Sequence, residues 1–158
     1  MIILGIDPGT RHIGVCLYDS EARRVLASAT LDAPEGEQWT PASACDAVET
    51  WAGDRALNCA AVERTEWRGM GGPSLLETTE IVGAMMGRFF GVVTLRRREV
   101  LKALRIPSGT SSQVRAALIE SHGGTQSTKK GGALHGVANH QWDALAVAMA
   151  AATMEAGR

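Results

Sequence analysis

The sequence predicts an α/β fold: a five-stranded mixed sheet, in which an antiparallel meander continues into parallel strands, flanked by helices. Three observations carry this. Three short apolar runs come first, separated by turn-length segments; apolar runs and helical periodicities then alternate; and acids close two of the runs, at strand ends where open α/β sheets present their ligand sites.

Ile2 to Ile6 is a continuous apolar run stopped by Asp7-Pro8-Gly9, which reads as a strand buried on both faces and then a turn. Ile13 to Tyr18 and Val25 to Leu31 complete the meander. Trp39-Thr40-Pro41 supplies an N-cap and a proline at the first helical position. Ala42, Cys45, Val48 and Ala52 follow at helical spacing, and Gly53 stops that helix. Leu57 to Val62 is a fourth strand, ending at Glu63, and the polar stretch Glu66 to Pro73 leads into a helix over Ser74 to Phe90. Val92 to Leu95 is a short fifth strand. The basic segment Arg96 to Arg105 has no assigned element, whereas Ser111 to Ser121 reads as a helix with Thr110 as its cap and Gly123 just past its end. His122 to Val137, with five glycines, reads as a mobile loop. Asn139 is then expected to cap an alanine-rich last helix reaching Met154.

At 158 residues, with 45% hydrophobic and 21% charged residues, the chain fits one compact domain over residues 1–158 with a proper core. Cys16, Cys45 and Cys59 are odd in number, widely spaced and without zinc-ligand spacing, which argues against a disulfide scaffold and a zinc site. The opening MIILGIDPG has neither signal-peptide layout nor a membrane-length apolar run, so a cytoplasmic location without membrane association is expected. The net charge of -1 is unevenly spread. Residues 1–50 hold three basic and eight acidic residues, whereas residues 64–130 hold eleven basic and five acidic ones, enough for one basic face.

Asp7 and Glu63 fall at the carboxyl ends of the first and fourth strands, and His140 and Asp143 share a face of the last helix. Taken singly, Asp7 suits a turn, Glu63 a solvated strand exit, and Asp143 the favourable end of a helix dipole. Brought together they become chemistry. Two carboxylates ~4 Å apart repel by ~4 kcal/mol at an effective dielectric near 20, so an acid cluster needs a cation. Hard oxygen donors point to Mg²⁺ or Mn²⁺.

The segments LGIDPGTRHIGV, AAVERTEW and ANHQWDALAVAMA have the order and separations of the RuvC family of Holliday junction resolvases, and LLETTEIVGAMMG and SGTSSQVRAAL are similar to that family's central helices. The resemblance spans residues 1–152. GIDPGT openings also occur in sugar kinases and YqgF-type nucleases, so the last-helix motif is the discriminating one. What the resemblance implies is a ribonuclease-H-like fold and a homodimer. It further implies symmetric nicking of four-way DNA junctions in recombination and repair, with Mg²⁺ as cofactor, Mn²⁺ also supporting activity, and branch-migration proteins as partners in a bacterial setting. Asp7, Glu63 and Asp143 match the family's three acids, and His140 matches a fourth position that carries Asp or His. All four are expected to be catalytic and to hold metal.

Departures are visible too. The family's junction-wedging aromatic has its nearest counterpart in Trp67, one position off, with Arg68 beside it. A family lysine aligns with Ser111 and its upstream partner falls near Leu101. Phosphate contact is therefore expected from Arg97, Lys102, Arg105, Ser111, Lys129 and Lys130, and a groove including Arg96, Arg98 and Arg115 is the basic-face reading. Met85, Met86, Phe89 and Phe90 read as core or dimer interface. A YqgF-like nuclease acting on structured RNA and a junction-binding protein with little hydrolysis are the alternatives. A sugar-kinase architecture fails on length.

Overall fold

The structure, a computed structural model, describes residues 1–66, 72–107 and 109–157. Strands β1 (Ile2–Asp7), β2 (His12–Asp19) and β3 (Arg24–Asp32) form the meander. Helix α1 (Pro41–Ala52) leads to β4 (Cys59–Arg64), and α2 (Pro73–Arg88) leads to β5 (Val92–Arg96). Helices α3 (Arg97–Ala103), α4 (Ser111–Ser121) and α5 (Gln141–Ala156) follow, with a 3₁₀ turn over Gly124–Thr128. The five strands form one sheet of order β3-β2-β1-β4-β5; β1 pairs antiparallel with β2 and parallel with β4, and β5 extends the parallel half. This is the mixed sheet that the sequence predicts. None of the helices described is long and apolar enough to cross a membrane.

Both sheet faces are covered, and strand alternation sorts the residues between them. Leu4, Ile6, Val15, Leu17 and Val62 pack against α1 and α2, while Ile3, Cys16, Ala61 and Leu95 pack under α5, α3 and α4. Asp7 and Glu63 continue the period of Ile3 and Ala61, so both emerge on the α5 side. The helix comes very close there. A Cβ on Gly5 would stand 2.0 Å from the Ala144 carbonyl oxygen, and one on Gly14 would stand 2.3 Å from that of His140. Glycine on the strands, with Ala144 and Ala148 on the helix, therefore sets the depth at which the first turn of α5 sits beside Asp7.

Local signals account for the helix starts. Thr40 caps α1 by accepting from the Ser43 amide at 3.2 Å, with Pro41 at the first position, and Thr110 caps α4 by accepting from the Gln113 amide at 3.4 Å. Three expectations need correction. The basic segment contains a helix, α3, held by buried Val100 and by Glu99 accepting from the Arg96 amide at 2.7 Å. Asn139 is not the cap of α5: it takes a positive φ of 46°, and His140 stands at the N-cap without a side-chain cap bond. Residues 122–137 are not a free loop. Fully buried Leu134 pins them to the core, its amide donates to the Ser127 carbonyl at 2.8 Å, and the Val25 amide donates to the Ala133 carbonyl at 2.8 Å.

Candidate active site

Four elements meet where β1 and β4 end. Asp7 ends β1 and Glu63 lies next to it on parallel β4, one residue beyond the last registered pair, Ile6 with Val62. Asp143 comes from the first turn of α5, where the helix dipole favours an anion, and His140 from that helix's N-cap. The sequence places these four residues together, and the structure brings them together.

The fifth member is Arg97, the first residue of α3, whose expected role was phosphate contact. Its Nη1 donates to Asp143 Oδ1 at 2.7 Å and to Glu63 Oε2 at 3.3 Å, and Nη2 reaches the Gly109 carbonyl at 3.5 Å. Glu63, Asp143 and Arg97 side chains are only 17, 14 and 16% exposed, so this guanidinium lies inside the acid cluster. The reason is electrostatic: converging buried carboxylates draw in the nearest cation that the chain can supply. Asp143 is further held by the Ser111 hydroxyl, which donates to Oδ2 at 3.2 Å.

One guanidinium does not balance three carboxylates. Burial pushes the Asp7 carboxyl up from its ordinary value, opposed by His140, whose Nδ1 stands 3.7 Å from Asp7 Oδ2. Burial, with the repulsion of Asp7, pushes Glu63 up to about 7 despite Arg97. His140 is raised in turn by Asp7. Burial works against the Arg97 charge, yet Asp143 and Glu63 outweigh it and hold its proton more firmly than usual. Unbalanced negative charge on hard oxygen donors, plus one imidazole, fits a divalent cation in charge and donor type. Among the described residues, however, no three His, Cys, Asp or Glu side chains are gathered as a metal shell; Arg97 stands between two of them.

A groove of about 860 Å³ runs beside the cluster between β2, β3, α4 and α5, bounded by Asp143, His140, Ser111 and Arg115. His12 and Asp32, absent from the sequence-based candidates, line it too. His12 Nδ1 pairs with Asp32 Oδ1 at 2.7 Å, and the His12 ring stacks on that of His140 with centroids 5.6 Å apart. The signal for His12 was its place at the start of a strand antiparallel to β1, which returns it to Asp7's end of the sheet. A second cavity, about 130 Å³, opens between Asp7, Glu63 and Arg97 and is edged by Arg64. Lys102, Arg105, Lys129 and Lys130 are exposed, but none lines either cavity. Arg98 pairs with Glu66 at 3.3 Å. Trp67 and Arg68 lie outside the described residues.

The sheet order and flanking helices give a ribonuclease-H-like fold, with an acid cluster at the carboxyl ends of its adjacent central strands. The solved structures agree. The chain is similar to Thermus thermophilus RuvC in complex with a Holliday junction substrate (20% identity, TM-score 0.67, 99% of this chain and 96% of the other), and to a second structure of Thermus thermophilus RuvC (18%, 0.66, with the same coverage). It is also similar to the yeast mitochondrial Holliday junction resolvase (13%, 0.57, covering 98% of this chain and 80% of the other). At these identities the likeness establishes the fold. No protein-family profile and no curated sequence matches the chain.

Proposed function

We propose that the protein is a structure-selective endonuclease that resolves four-way DNA junctions by metal-dependent phosphodiester hydrolysis. The observation that carries this reading is the convergence of Asp7, Glu63 and Asp143 at one end of a sheet whose whole course follows that of a RuvC bound to a junction. Asp7, Glu63, Asp143 and His140 are the residues that would hold divalent metal, Mg²⁺ by oxygen preference and Mn²⁺ also tolerated because of the imidazole. Such an ion supplies a nucleophilic hydroxide from water and neutralises charge on the phosphate and leaving oxygen.

The chain's own residues do the rest. Asp7, central among the acids, fixes the site's position through β1, and Ser111 orients the Asp143 carboxylate. His140, half-exposed in the groove and facing Asp7, either completes the ligand set or accepts the proton of the attacking water. Arg115, stacked over Trp142 at 5.3 Å, brings positive charge to the groove for a DNA strand, and the exposed Lys102, Arg105, Lys129 and Lys130 serve phosphates farther out. Symmetric nicking of two strands needs two sites, hence two copies of the chain. Exposed Met86 and Phe90, 51 and 97% accessible, give a homodimer apolar surface to cover.

End-labelled mobile four-way junctions, linear duplex and structured RNA, incubated with wild type and Asp7→Asn in Mg²⁺ and in Mn²⁺, test the reading. Paired nicks confined to junctions, lost by several orders of magnitude in the variant while binding persists, are expected. Full activity in Asp7→Asn, or cleavage of RNA with junctions left intact, refutes it.

A further inference from the structure

The acid cluster already contains a cation. Arg97 is the middle member of an arginine run; of its neighbours, Arg98 pairs with Glu66, and the Arg96 main-chain amide is tied to Glu99. Arg97 alone continues the alternation of Val93 and Leu95, the β5 residues that pack under α5, and so it emerges among the acids. Its backbone is anchored beside the acids, because α3 is held by buried Val100.

The atoms that accept from its Nη1 are Asp143 Oδ1 and Glu63 Oε2, one oxygen from each of two carboxylates that would hold the metal. A guanidinium and a divalent ion cannot both take them. Asp7 is differently placed: its paired group is His140, and Arg97 acts on it through charge and not through a hydrogen bond. Three acidic side chains face one guanidinium and one imidazole, so the cluster has more acids than fixed positive charges.

Building on the nuclease reading of this cluster, we propose that Arg97 is an internal counter-cation that competes with divalent metal for Glu63 and Asp143. In the DNA-free protein it keeps the acids together and makes metal loading weak; metal binds as Nη1 gives up its two carboxylates. The coupling is reciprocal, so whatever factor Arg97 costs the metal, the metal costs Arg97's hold on the acids.

The test is metal binding without DNA. Mn²⁺ is titrated into metal-free wild type, Arg97→Met, Arg97→Lys and Asp7→Asn, with free Mn²⁺ read by its paramagnetic resonance signal and folding checked by circular dichroism. Arg97→Met should bind Mn²⁺ at least about tenfold more tightly than wild type, and Arg97→Lys should fall between them. In wild type, the ¹⁵N–¹H signal of the Arg97 Nε, identified by its loss in Arg97→Lys, should shift on Mg²⁺ addition with the midpoint of metal binding. That second readout follows the wild-type protein itself, with Arg97→Lys used only to assign the signal. Asp7-dependent binding that is no tighter in Arg97→Met, or an Arg97 signal unmoved at saturating Mg²⁺, overturns the counter-cation and leaves the nuclease reading standing. Binding that is equal in wild type and Asp7→Asn places the ion outside the cluster and overturns both.

Discussion

Removing one buried charge from the acid cluster should stabilise the metal-free protein, and only above a definite pH. The Glu63 carboxyl is raised from 4.5 to about 7, first by burial and then by Asp7, with Arg97 opposing. Its folded-state value thus lies above its unfolded one. The contribution of the protonated carboxyl to stability is complete below about pH 4.5 and is lost as pH rises through about 7. The gap corresponds to about 3 kcal/mol, and a chain of this size changes melting temperature by about 2–4 °C per kcal/mol. Glu63→Gln keeps the shape and removes the titration, so in chelator it should melt about 6–12 °C above wild type at pH 8 and within about 1 °C of it at pH 4.5. Calorimetric melts across that range measure both limits. The side chain is 17% exposed, so solvent screens little of the effect. A Glu63→Gln protein less stable than wild type at pH 8 would refute the reasoning, because it would make the Arg97 pair, and not burial and Asp7, the dominant influence.

Two further outcomes follow from the same geometry. His140→Asp should retain junction cleavage and shift metal preference from Mn²⁺ towards Mg²⁺, since an all-oxygen donor set suits the harder ion; unchanged preference in the cleavage assay removes His140 from the ligand set and leaves it the water-handling role. Leu134→Ala should cost about 2–5 kcal/mol in denaturant unfolding and speed tryptic cleavage after Lys129 and Lys130 by loosening their backbone, because fully buried Leu134 is what ties residues 122–137 to the core. Unchanged stability and unchanged digestion would restore the free-loop reading of that segment.

Much of the site was written in short-range pattern. Strand alternation put Asp7 on the face of Ile3 and Gly5, and Glu63 on the face of Ala61; three-residue spacing put His140 and Asp143 on one side of a helix start; and threonine before a helix marked α1 and α4. These are properties of backbone geometry, which repeats every two or 3.6 residues and so can be read from neighbours along the chain. What tertiary structure alone decided was which distant groups share a pocket. Arg97 meets Glu63 and Asp143 across separations of 34 and 46 residues, and its sequence context of three arginines suggested a DNA-facing surface. Leu134 looked incidental in a glycine-rich stretch until the core closed over it, and His12 gained its place by stacking on His140. Burial and charge balance are sums over the whole fold. The sequence by itself therefore determined the sheet and the acids at the carboxyl ends of its central strands, whereas only the folded chain determined which cation those acids already hold.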